Sequence, residues 1–129
     1  RDPKMSIPSI VYTENVGGIS EKFRESHGVR CSSNPIICAI NTLYKWDQLA
    51  SDLNPSLVFR IEDEEQKLFN YLEKNHVGIS WAETIVGKKQ NAREHPTWDD
   101  MISEFGDVPS KSKIKINTVC RKYGYALIR

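Results

Sequence analysis

Apolar residues recur at intervals of three and four through most of this chain, and short β-branched stretches interrupt that rhythm at three places. From Pro35 to Leu53 the residues Ile36, Ile37, Ile40, Leu43, Tyr44, Leu49 and Leu53 follow helical spacing, as one long helix or two broken near Asn41-Thr42. Asn54-Pro55 closes the run, because a residue before proline avoids the α region. Further helices are expected over 20–28, ending at Gly28, and over 62–75, where acids lead and Lys74 trails. "SWAETIVG" (80–87) and "TWDDMISEFG" (97–106) each carry a capping pattern and a glycine stop, and after Pro109 the residues Ile116, Val119, Cys120 and Tyr123 again fall at helical spacing. Against these, "SIPSIVYT" (6–13), "SLVFRI" (56–61) and "YALIR" (125–129) read as strands, the first at an edge because Pro8 lacks an N–H. The expected fold class is therefore α+β: a mostly helical single domain over 1–129 with a small sheet, compatible with a small N-terminal lobe (1–30) and a larger helical lobe (31–129).

The segments "KWDQLASDL" (45–53) and "TWDDMISEF" (97–105) share a Trp-Asp head and similar apolar spacing. Helix construction explains most of the likeness, and Trp46 and Trp98 are expected to pack inward as core anchors.

Composition bounds the function. The 129 residues suffice for one core, and 39% hydrophobic residues with mean hydropathy −0.52 describe a hydrophilic folded domain. Eighteen basic and seventeen acidic residues leave +1, without the overall positive charge that drives non-specific nucleic-acid binding. Positive charge is local instead, because residues 110–129 contain no acid. Three cysteines, Cys31, Cys38 and Cys120, cannot all pair within the chain, and no Asn-x-Ser/Thr acceptor lacks proline, a pattern expected of an intracellular, reduced protein. Cys38 and Cys120 are expected to be buried thiols. No apolar run spans a bilayer, and a first residue other than Met reads as a piece cut from a longer protein.

Catalytic and ligand-binding patterns are missing. Cys31 and Cys38 stand too far apart for a zinc knuckle, and His27, His76 and His95 are scattered among element ends. "VGGIS" (16–20) and "VGKKQ" (86–90) lack the remaining residues of a dinucleotide or phosphate loop, and the acids of 62–65 suit a helix start without any cation. No enzyme activity, cofactor, metal or small-molecule substrate is expected. Two binding readings remain. A protein-interaction surface would use Tyr12, Val16, Ile19, Phe23, Arg24, Val29 and Arg30, since aromatic and arginine anchors dominate interface energies. The alternative is a nucleic-acid-binding domain in which the basic C-terminal helix contacts phosphate through Lys113, Lys115, Arg121 and Lys122. Asp99, Asp100, Glu104 and Asp107 oppose that use.

"LYKWDQLASDLNPSLVF" (43–59) and, more weakly, "HPTWDDMISEFGDV" (95–108) carry a Lys-Trp-x-x-Leu plus Asn-Pro pattern. In this the chain resembles the C-terminal, origin-recognition-complex-interacting region of the budding-yeast silent information regulator family, over about a quarter of its length. The resemblance implies a non-enzymatic nuclear module that recruits transcriptional silencing factors to chromatin by binding the BAH (bromo-adjacent homology) domain of the largest origin recognition complex subunit. It implies no direct nucleic-acid contact and carries over no contact residue.

Overall fold

The computed structural model describes residues 1–14, 19–75 and 95–129, with the backbone alone for 13–14 and 19–21. It contains six helices in these residues: α1 (Pro3–Glu14), α2 (Ile19–Ser26), α3 (Pro35–Asp52), α4 (Glu65–Asn75), α5 (Trp98–Phe105) and α6 (Ser110–Tyr123). The chain divides into two units, one formed by 1–54 with 95–129 and the other by 55–94. The expected helix over 80–87, the turns at 16–18 and 86–90, and His76 lie outside the described residues.

No strand occurs among the described residues, so the expected α+β class with a small sheet is corrected to an all-helical arrangement there. Each of the three expected strands fails for its own reason. Residues 6–13 belong to α1, in which Ile7, Ile10 and Val11 stand at helical spacing and Pro3, Ile7, Pro8 and Val11 are buried. The Asp2 carbonyl accepts from the N–H groups of Met5 and Ser6, and its carboxylate accepts from Lys4 N–H at 2.9 Å, so the helix start is satisfied. An interior proline costs a helix roughly 3 kcal/mol, so packing of this buried stripe, not propensity, maintains α1 around Pro8.

In the second unit, residues 56–61 form no ladder because local groups take their place. Arg60 N–H donates to the Glu64 carboxylate at 2.8 Å, and Glu64 N–H donates back to the Arg60 carbonyl at 2.9 Å. Lys67 pairs with Glu64 at 2.7 Å, and Arg60 pairs with Asp63. The Lys67 ammonium, followed by the Arg60 N–H, holds the Glu64 carboxyl below its usual range. α4 starts at Glu65, three residues later than expected, and its Leu68, Phe69 and Leu72 are half-buried.

Residues 125–129 are also irregular. Gly124, at φ 72°, ends α6 in the left-handed conformation, with Tyr125 N–H returning to the Cys120 carbonyl at 2.8 Å. The tail then runs back along α6, where the Asn117 carboxamide occupies both backbone groups of Ile128. Ile128 N–H donates to Asn117 Oδ1 at 2.8 Å, and Asn117 Nδ2 donates to the Ile128 carbonyl at 3.0 Å.

The core of the first unit joins Ile7 and Val11 of α1, Ile36, Ala39 and Ile40 of α3, Met101 of α5, and Ile116, Val119 and Cys120 of α6, with Val108 and Ile128 between or beyond the helices. α3 is one helix, not two. Asn34 caps it by accepting from Ile36 and Ile37 N–H, Pro35 suits its first turn, and the Thr42 hydroxyl returns to the Cys38 carbonyl at 2.8 Å without a break. α5 follows expectation closely: Thr97 and Asp100 form a reciprocal capping box, and Gly106 ends the helix.

The reduced state expected of all three cysteines is corrected. Cys31 and Cys38 form a disulfide with Cα atoms 4.4 Å apart, so Cys38 is buried as half of a bridge. Cys120 is the one free, buried thiol, and desolvation pushes its pKa up. Cys31 precedes the α3 cap and Cys38 lies in the first turn beyond it, which brings the two sulfurs together across Asn34-Pro35.

Candidate functional site

α2 is short, and its exposed side shapes the surface around it. Phe23 and His27 stand one turn apart and therefore share a face, with ring centroids 4.4 Å apart. Both meet Trp46 of α3, at 6.0 Å from Phe23 and 5.5 Å from His27. His27 Nδ1 lies 2.8 Å from the Phe23 carbonyl, an acceptor only, so this nitrogen carries the proton and donates. The ring is thereby fixed with Nε2 free of that bond.

The end of α2 holds this arrangement against α3. Gly28 N–H returns to the Glu25 carbonyl and Val29 N–H to the Arg24 carbonyl, a reversal that requires the positive φ of 78° found at Gly28. A side chain at residue 28 would also meet Lys45 Cε at 3.5 Å. Val29 is buried behind the turn, and Asn41 Nδ2 donates to the Arg30 carbonyl at 2.8 Å. Phe23 remains 56% exposed, His27 is exposed, and Trp46 is half-buried. Beyond Trp46, α3 continues the apolar stripe through half-buried Leu49 to Leu53, which is 82% exposed.

Of the expected interaction residues whose side chains are described, two lie at the surface. Phe23 and Arg30 are exposed; Arg24 is 2% exposed and Val29 is buried. Arg24 follows Phe23 by 100° of helix rotation, so the face that exposes one turns the other inward. Val16 and the Ile19 side chain lie outside the described residues. His27 and Trp46 complete the surface in their place. Phe23 and His27 are four residues apart in a predicted helix, a signal present in the sequence, whereas the approach of Trp46 depends on the Gly28 reversal. Of the two expected core anchors, Trp98 packs against the core and Trp46 against α2.

Tyr12 is half-buried between α1 and α5, with its ring 6.0 Å from that of Phe105 and its hydroxyl donating to Glu104 at 2.6 Å. That bond, with burial and the charges of Glu104 and Asp100, pushes the Tyr12 pKa up from 10.0 to about 12. The folded state thus holds the phenol proton more tightly. Its contribution to stability is complete below pH 10 and is lost as pH rises toward 12. Tyr12→Phe removes this dependence, so in urea melts on either side of this window the variant loses less stability on alkalinisation than the wild type.

The four expected phosphate contacts on α6 do not form one face. Lys115 reaches across to α3, donating to Asn41 Oδ1 at 2.7 Å with its ammonium 6.0 Å from the Tyr44 ring centroid. Lys122 pairs with Asp47 at 2.9 Å and reaches Ser51. The Tyr123 hydroxyl and then Asp47 hold its ammonium above the usual range against an opposing effect of burial. Lys113 and Arg121 lie on the other side of the helix, in line with Asn117 at four-residue spacing.

A groove of 740 Å³ lies where the tail passes the starts of α1 and α5, lined by Lys4, Trp98, Asp99, Asn117, Leu127 and Arg129 among others. Among the described residues, no group of three His, Cys, Asp or Glu side chains is placed to hold a metal ion, and no helix is long and apolar enough to cross a membrane. No protein-family model, curated protein or solved structure matches the chain.

Proposed function

We propose that this chain is a non-enzymatic protein-interaction module that docks through the α2–α3 surface around Phe23, His27 and Trp46. The observation that carries the reading is the cluster of exposed Phe23 and His27 packed in tilted and edge-on contacts against Trp46, which offers aromatic area at small entropic cost. Lys115 and Lys122, already engaged with α3, favour a protein partner over phosphate. The partner is the BAH domain of the largest origin recognition complex subunit, and the role is recruitment of silencing factors to chromatin in the nucleus. This assignment rests on the resemblance of residues 43–59, the segment that contains Trp46.

Titration calorimetry of the chain with that BAH domain tests both parts. Phe23→Ala and Trp46→Ala are expected to weaken binding at least about tenfold, and Arg30→Ala less. Unchanged binding by all three variants would reject the surface; absence of binding by the wild type would reject the partner.

A further inference from the structure

We propose that the C-terminal tail and its groove form a second docking site, which takes an extended acidic peptide segment of a partner protein as an added β-strand. The first observation is the pairing of Asn117 with Ile128. One carboxamide engages both the N–H and the carbonyl of a single residue, as a neighbouring strand does in an antiparallel ladder. Both groups of Ile128 therefore point toward α6, while its side chain is buried. In an extended backbone the flanking residues direct their polar groups the opposite way, which is the direction from which an incoming strand would reach the unbonded N–H and carbonyl of Leu127. Ala126, Leu127 and Arg129 are exposed, and none of their backbone groups has a hydrogen-bond partner among the described residues. "YALIR" thus has the composition of a strand and one free edge, with a side chain in place of the partner on the other.

The second observation is charge. Lys4 and Arg129 line the groove with Trp98, and Lys113 and Arg121 flank Asn117 one turn away on each side of α6. None of these four cations forms an ion pair among the described residues, and Asp99 is the one acid in the groove lining. An incoming strand that bonds to Leu127 would place alternate side chains toward Trp98 and toward these cations, which selects alternating apolar and acidic residues. The site is separate from the α2–α3 surface and stands without it.

The test uses a fluorescein-labelled peptide of alternating valine and glutamate, read by anisotropy with the full chain. Two competitors accompany it: the same peptide N-methylated at alternate amides, and a single-stranded oligonucleotide of equal charge. Leu127→Pro removes one edge N–H while leaving the residue before it extended, and is expected to weaken peptide binding about tenfold. The double variant Lys4→Glu, Arg129→Glu is expected to weaken it at least as much, whereas Phe23→Ala leaves it unchanged. Circular dichroism confirms that each variant is folded. Failure of the wild type to bind the peptide, equal binding by Leu127→Pro, equal competition by the N-methylated peptide, or preference for the oligonucleotide would each overturn the proposal.

Discussion

Ile40→Ala lowers the unfolding free energy of the first unit by about 3 kcal/mol, a large share of the 5–15 kcal/mol that holds a typical domain. Ile40 is fully buried in the middle of α3, the helix that packs most extensively on both α1 and α6. Truncation removes three carbons from a position enclosed by these helices, so the loss combines lost burial with an unfilled cavity. Ile40→Val removes only one carbon and is expected to cost about 1 kcal/mol. Ile114→Ala is the control, because Ile114 is 67% exposed on the outer side of α6 and its truncation should stay within about 0.5 kcal/mol of wild type. Urea melts followed by tryptophan fluorescence measure all three. Equal costs for Ile40 and Ile114 would contradict the packing described for α3.

Reduction of the Cys31–Cys38 bridge has the second large effect. The bridge closes a loop of sequence separation 7, for which the chain-entropy relation gives about 2.5 kcal/mol. Oxidised protein unfolded without reductant should expose one reactive thiol, Cys120, and reduced protein three. Three thiols in the unreduced sample would remove the bridge from the fold. Because the bridge fastens the α2–α3 connection at the start of α3, its reduction should lower the midpoint of the first unit in urea while α5, with its own capping box, keeps its local hydrogen bonds.

Helices whose ends are written in local chemistry were legible in the sequence. Thr97, Asp100 and Gly106 delimit α5 without help from any distant residue, and Pro35 with Asn54-Pro55 brackets α3, although its Asn34 cap was not read. The strands were misread because β-branched composition describes how a segment packs, not which partner is present. Ile7, Ile10 and Val11 satisfy a helical stripe as well as an alternating one, and the buried side of α1 decides between them. Residues 125–129 have the composition of a strand but form none, because Asn117, a side chain eleven residues from Ile128, takes both backbone groups of that residue. The interaction surface was half legible. Helix rotation separates Phe23 from Arg24, but a contact between Trp46 and Phe23 requires the chain reversal at Gly28 and the placement of α3, both tertiary facts.

The division of the chain has a kinetic meaning. α1 and α3 precede residues 55–94, whereas α5 and α6 follow them, yet all four share one core. Every encounter of α3 with α6 must therefore close a loop that contains all of residues 53–109, whose entropic cost rises only with the logarithm of its length. The first unit, though helical, assembles through contacts remote in sequence. Its folding rate is accordingly expected among mixed and β domains, not with the fast local bundles that its secondary structure suggests.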